Sequence, residues 1–247
     1  MLPRIVSEAA VGAGAGAPGY EAGRVTALFD ALAPTYAHRQ AWLSAGMSDG
    51  WRRWAVRQLQ LRPGAEVVDL MCGTGELWPH LAPRLGPDGC LTGVDASGAM
   101  LARAAGRMGS MMPPGRGRLV QADALATPLP AGFADAVVCS FGLKTLAPAR
   151  WPALVAEARR LLRPAGRLVL VDLLPAPGSP TAWLVRQWLC GALGLLAGGS
   201  AAPHAALLGY VTRDGADRQR ALTQLAATGC RICRLPGGGV GIVGSGR

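Results

Sequence analysis

One stretch limits what this chain can fold into: Glu66-Val67-Val68-Asp69-Leu70-Met71-Cys72-Gly73-Thr74-Gly75-Glu76-Leu77. Val67, Val68, Leu70 and Met71 make a short apolar run, the pattern of a strand buried on both faces. Two glycines then turn the chain, and a helical pattern follows from Leu77 to Leu85. Strand, glycine turn and helix together form a cradle. The glycines let a ligand approach the backbone, and the helix start offers unpaired N–H donors. A dinucleotide fingerprint would need a third glycine at position 78, which is Trp78. Asp69, at the mouth of the cradle by this reading, would repel phosphates and welcome a cationic amino-acid group.

Two further acids narrow the ligand. Asp95 follows Gly75 by twenty residues and ends the apolar run Leu91-Thr92-Gly93-Val94. A carboxylate placed there suits the two hydroxyls of a ribose. Asp123 closes a third run, Leu119-Val120-Gln121-Ala122, where an acid beside Ala124 can accept from an adenine amino group. Three acids ending three successive strands fit a nucleoside that carries positive charge and no phosphate. S-adenosylmethionine meets that description.

The remaining pattern predicts an α/β fold, a Rossmann-like doubly wound and mostly parallel sheet, with ligands at the carboxyl ends of its strands. Strands are expected at Glu66–Leu70, Leu91–Val94, Leu119–Gln121, Ala136–Ser140 and Arg167–Val171. Helices are expected at Gly75–Leu85, Ser97–Met108 and Trp151–Leu162, with Ser97 as an N-cap. A helix at Asp214–Thr228 leads to a closing antiparallel hairpin around Pro236-Gly237-Gly238-Gly239. Before the sheet, Val25, Leu28, Phe29 and Leu32 form a helical stripe stopped by Pro34, and a second helix spans Gly50–Leu61. The expected division is a flexible tail at 1–19, a helical lid at 20–62 and a cofactor domain at 63–247. Within the last, an insertion around 175–213 would wall a greasy substrate.

Several motifs carry a family resemblance. Asp69-Leu70-Met71-Cys72-Gly73-Thr74-Gly75, Val94-Asp95-Ala96-Ser97 and Gln121-Ala122-Asp123-Ala124 resemble the cofactor motifs of class I S-adenosylmethionine-dependent methyltransferases. Phe29-Asp30-x-x-Ala33-Pro34-x-Tyr36, Ser140-Phe141-Gly142-Leu143 and the ending Gly238-Gly239-Val240-Gly241-Ile242-Val243 resemble the ubiquinone/menaquinone C-methyltransferases, the UbiE-like family. The resemblance runs over roughly residues 25 to 245. It implies S-adenosylmethionine as cofactor, held by Tyr36, Asp69, Cys72, Gly73, Thr74, Gly75, Asp95, Ala96, Asp123, Ala124 and Ser140. It also implies methyl transfer, on carbon, to a small and largely apolar quinol, phenol or specialised metabolite.

The acceptor half departs from the family. An Arg-Asn pair after Gly-Leu is replaced by Lys144-Thr145, Tyr-Asp by Tyr36-Ala37, and His-Arg after the lid glycine by Ser48-Asp49. Lys144 is the single lysine among 25 Lys and Arg, in a loop where a base or a phenolate-holding cation would serve ring methylation. Its other reading is a solvated loop lysine. Tyr36 and His38 are the other candidate proton handlers. The rewritten half leaves open a non-methylating cyclase built on the same fold.

The net charge of +10 raises a nucleic-acid partner, and hence an RNA methyltransferase. No basic run exceeds a doublet such as Arg52-Arg53, so a diffuse positive surface is expected instead. Six cysteines sit mostly in apolar runs, and Cys230-Arg231-Ile232-Cys233 has no second pair to complete a zinc site. No metal is expected, and a cytoplasmic, reducing compartment is. Met1–Gly19 lacks the apolar core of a signal peptide, and Trp183–Ala197 is too short to span a bilayer. The reading admits peripheral membrane association and a homodimer.

Overall fold

The computed structural model describes residues 5–7, 21–36, 44, 46–176, 178–180, 182–185, 187–188, 209–210 and 215–246. The strands are β1 (Ile5–Ser7), β2 (Glu66–Leu70), β3 (Cys90–Asp95), β4 (Gly117–Gln121), β5 (Ala134–Ser140), β6 (Leu162–Leu173), β7 (Arg231–Leu235) and β8 (Gly239–Ser245). They form one sheet in the order β1-β4-β3-β2-β5-β6-β8-β7. The first six pair in parallel, and β8 runs antiparallel between β6 and β7. Among the described residues, six full helices accompany them: α1 (Ala22–Leu32), α2 (Met47–Leu59), α3 (Trp78–Leu85), α4 (Gly98–Met111), α5 (Trp151–Leu161) and α6 (Gly215–Ala227). The doubly wound, mostly parallel sheet with its closing hairpin is the fold that the alternation of elements predicts.

Two cores follow from the two-residue period of the strands. Val68 and Leu70 face one side, where they join Trp151, Leu154 and Leu161 of α5 and Leu222 and Leu225 of α6. Val67 faces the other, with Ala55, Val56 and Leu59 of α2, Leu81 of α3 and Leu101 of α4. Burying each such side chain is worth ~1.5–3 kcal/mol. The inner face of α2 therefore belongs to the sheet's own packing layer.

Three of the differences from the expected boundaries have a physical reason. Ile5–Ser7, inside the expected tail, pairs along the free edge of β4; a three-residue pairing across more than a hundred positions leaves no local periodicity to read. The helix after the glycine turn starts at Trp78, because Gly75 takes a φ of 79° that a right-handed helix excludes. β6 is twelve residues long, since it begins where α5 ends. The apolar stretch expected to wall a substrate lies mostly outside the described residues.

The chain lays β2, β3 and β4 outward in one direction, then returns to place β5 on the other side of β2. The crevice of a doubly wound sheet opens at such a reversal. Both chain turns there are unusual: Met71 has φ 56° and Phe141 φ 64°, left-handed backbone at non-glycine residues. They are packed on each other through Gly142, where an added Cβ would lie 2.7 Å from Met71 Sδ and 2.8 Å from Cys139 Sγ.

Candidate active site

A cleft of about 1080 Å³, open mouth included, crosses the carboxyl ends of β4, β3, β2 and β5. Its lining can be followed in that order.

At the β4 end, Asp123, Ala124 and Leu125 line the cleft. Asp123 Oδ1 accepts from Leu125 N at 2.9 Å, which fixes the turn. At β3, both oxygens of Asp95 are set in place: Oδ2 accepts from Gly73 N at 2.8 Å and Oδ1 from Ser97 N at 2.9 Å. Burial pushes the Asp95 carboxyl up to about 6, against the pull of those two N–H donors. Ser97 caps α4 by accepting from Met100 N at 3.1 Å, and its hydroxyl donates to Asp30 Oδ1 of α1 at 2.5 Å. So α1 is tied to the loop that carries Asp95. Ala96 lies between them on the lining.

At β2, Cys72 and Gly73 face the cleft, while Thr74 and Gly75 lie outside its lining. The Thr74 hydroxyl donates to Glu76, and Arg107 Nη1 donates to Thr74 O at 2.6 Å. An added Cβ on Gly75 would sit 2.4 Å from the Trp78 ring. Asp69 is wholly buried beneath the turn and is not among the lining residues, which corrects its expected place at the mouth. Its Oδ2 accepts from Trp78 Nε1 at 2.9 Å, and its Oδ1 has no hydrogen-bond partner among the described residues. Burial pushes Asp69 up to about 8, so at neutral pH it is not a standing negative charge.

At β5, Ser140, Phe141, Gly142 and Thr145 complete the wall. Lys144 does not reach it. Its Nζ donates to Asp172 Oδ1 at 2.9 Å and to Phe141 O at 2.5 Å, and only 7% of its side chain is exposed. The reason is the tight 3₁₀ turn at Leu143–Thr145: successive side chains diverge by about 120°, so Thr145 faces the cleft and Lys144 turns under β6. The solvated-loop reading fails with the catalytic placement, because the ammonium is buried.

Tyr36 is buried against the cleft, edge-on to Phe29 at 5.8 Å. Burial first, then the nearby acids, drives its phenol far above the ordinary tyrosine range, so it is a hydrogen-bond donor and no base at neutral pH. His38 lies outside the described residues. Three charged lining residues escaped the sequence reading, Arg52, Glu76 and Arg150. A signal for Arg52 existed: the buried positions of α2 are Ser48, Trp51, Arg52, Ala55, Val56 and Leu59, so Arg52 sits within the apolar stripe.

A pre-set carboxylate at β3, an acid at β4 and an otherwise largely apolar lining with a glycine cradle at β2 fit a phosphate-free nucleoside. The sequence comparisons agree. A family profile described as "Methyltransferase domain" matches residues 67–166. The 2-phytyl-1,4-naphtoquinone methyltransferase of Nostoc sp. is 31% identical over 165 residues, 67% of this chain and 71% of that protein. This chain belongs to the UbiE-like family of class I S-adenosylmethionine-dependent methyltransferases. The demethylmenaquinone methyltransferase of Lactiplantibacillus plantarum is 34% identical, over 66% of this methyltransferase and 68% of that one. Among solved structures, the pyocyanin biosynthetic protein PhzM superposes with a TM-score of 0.62 at 21% identity, over 92% of this chain and 63% of that one, a likeness of fold.

Proposed function

We propose that this methyltransferase places a methyl group on a ring carbon of a small, largely apolar quinol or phenol. The observation that supports the reading most is the cleft itself, with Asp95 and Asp123 at successive strand ends and apolar side chains such as Phe29, Met71, Met100 and Leu146 around them. Asp95 accepts from the ribose hydroxyls, and Asp123 with Ala124 takes the adenine edge. Cys72, Gly73, Ala96, Ser140 and Tyr36 enclose the rest of the cofactor. Asp69, Thr74 and Gly75 act from behind the wall, by holding the turn in shape. When bound, S-adenosylmethionine supplies a methyl on a positively charged sulfur that leaves as a neutral thioether. The protein's part is to hold the acceptor carbon about 3–3.5 Å from that methyl and to keep water out.

The acceptor class rests on the relatives, whose names specify naphthoquinone and demethylmenaquinone substrates. Transfer of a ¹³C-methyl to a panel of reduced 1,4-naphthoquinones, with the product read by NMR, tests it. A methyl on ring carbon supports the reading. Labelled methyl on oxygen or nitrogen, or acceptor consumed without S-adenosylhomocysteine, defeats it.

An acceptor of this kind dissolves in lipid, and Trp183 and Leu184, 61% and 59% exposed after β6, offer an apolar contact for a bilayer surface. Among the described residues no helix is long and apolar enough to cross a membrane. Co-sedimentation with anionic phosphatidylglycerol vesicles that persists undiminished in Trp183→Ala/Leu184→Ala would remove this part of the proposal.

A further inference from the structure

S-adenosylmethionine carries a sulfonium, an ammonium and a carboxylate. Asp95, Asp123 and Glu76 offer the cleft only negative charge, which leaves the ligand's carboxylate in need of a cation. Among the described lining residues there are two, Arg52 and Arg150. Arg150 follows Ala147, which packs with Val25 and Leu28 of α1. Arg52 is at the β2–β5 end, with its guanidinium 5.0 Å over the ring of Phe141.

The position over Phe141, at the end of β5, decides between them. With adenine at the end of β4 and ribose at the end of β3, the next strands along the cleft are β2 and β5. The amino-acid arm of the ligand therefore extends over the glycine turn toward Phe141, where Arg52 stands. We infer that Arg52 binds the methionyl carboxylate of S-adenosylmethionine. The inference rests on the nucleoside placement proposed above.

The surroundings of Arg52 suit this task. It is only 6% exposed and sits in the stripe of α2 that otherwise buries Trp51, Ala55, Val56 and Leu59. Burial disfavours its charged form, and Glu76 is the first of the groups that oppose the effect. Glu76 is itself engaged by Arg107 at 3.3 Å and by the Thr74 hydroxyl. The ring of Phe141 below, and Ser48 Oγ accepting from Nη1 at 3.5 Å, orient the planar guanidinium. A planar fork matches a carboxylate with two parallel hydrogen bonds, which a lysine ammonium does not reproduce. Ser48 and Asp49 lie one turn before Arg52 on the same helix.

Calorimetry with three ligands tests the assignment without any turnover: S-adenosylhomocysteine, its decarboxylated counterpart S-adenosyl-3-thiopropylamine, and 5′-methylthioadenosine. The wild-type protein is expected to bind S-adenosylhomocysteine ~10–100-fold more tightly than the decarboxylated analogue, the range for a charge-assisted pair. Arg52→Met should bring S-adenosylhomocysteine down to the level of the decarboxylated analogue and leave the latter within about threefold. Arg52→Lys should keep part of the preference. Equal wild-type affinity for the two ligands overturns the inference with no variant needed. It is also overturned if Arg52→Met weakens both alike or changes neither. The nucleoside placement is read separately: Asp95→Ala leaving 5′-methylthioadenosine affinity unchanged removes that placement, whereas a loss there combined with an intact carboxylate preference in Arg52→Met removes only Arg52.

Discussion

Lys144→Met separates a structural lysine from a catalytic one. Asp172 is completely buried, and three donors converge on it: Lys144 Nζ at 2.9 Å and Leu173 N at 2.7 Å on Oδ1, and Lys144 N at 2.8 Å on Oδ2. The methionine leaves both backbone donors in place and removes the only cation among these three groups. Breaking a buried ion pair from one side costs ~3–5 kcal/mol, because the remaining charge is uncompensated. The two surviving N–H bonds place the expected cost near the lower end, about 3 kcal/mol. That is a large part of a total stability of ~5–15 kcal/mol.

In urea, with a slope of ~3 kcal/mol per molar, the midpoint should fall by about 1 M. Adding Asp172→Asn should restore most of the loss, since both charges are then gone and the amide can still accept from the backbone. Turnover per folded molecule should change less than tenfold, because the ammonium touches Phe141 O and Asp172 and lies outside the cleft lining. Unaltered urea stability together with a ~10²–10⁴-fold loss of turnover, the signature of a lost general base, would refute the reasoning and return Lys144 to the acceptor.

Three other outcomes are expected. Asp69 and Asp95 have folded values of about 8 and about 6, both above the ordinary 3.8. The folded protein thus binds more protons than the unfolded chain between pH 4 and those values. Stability should fall as pH rises, by on the order of 1 kcal/mol per unit and group, and level off above pH 8. Asp69→Asn should flatten the window from pH 6 to 8 in urea titrations of the ligand-free protein, and a profile that tracks wild type would count against the buried acid. Asp95→Ala should weaken S-adenosylhomocysteine by ~1–3 kcal/mol in calorimetry, with unchanged affinity as the contrary result. Gly75→Ala should push the Trp78 ring off Asp69, given the 2.4 Å approach and a φ of 79°, and lower the melting temperature; tryptophan fluorescence and melting like wild type would contradict the packing.

The cleft lining at the ends of β3 and β4 was legible because strand ends and glycine turns place it. Asp95, Ser97 and Asp123 each act within a few residues of a strand end, and their partners Gly73, Met100 and Leu125 lie in the same motifs or the next one. Strand runs and glycine turns set both the positions and the spacing. Asp69 and Lys144 went astray for a different reason. Residue type announces an acid or a lysine, but facing depends on the pleat and on a 3₁₀ turn. Their partners Trp78 and Asp172 are side chains, whose own facing is also set by packing. A motif gives the residue its place along the chain and leaves its direction to the packing.

The part of the cleft around Arg52 is harder still, because it is assembled across the fold. Arg52 comes from a helix before the sheet, and Phe141 beneath it from the end of β5. No window of sequence contains both. Yet Arg52 was visible by another route. A helix that buries Trp51, Ala55, Val56 and Leu59 commits position 52 to the same face, so an arginine there must enter the interior. An arginine that the helical period drives inward calls for an anion, from the protein or from a ligand. Glu76, the first acid it faces, is shared with Arg107 and Thr74. The methionyl carboxylate inferred above supplies such an anion from the ligand's side, over the ring of Phe141.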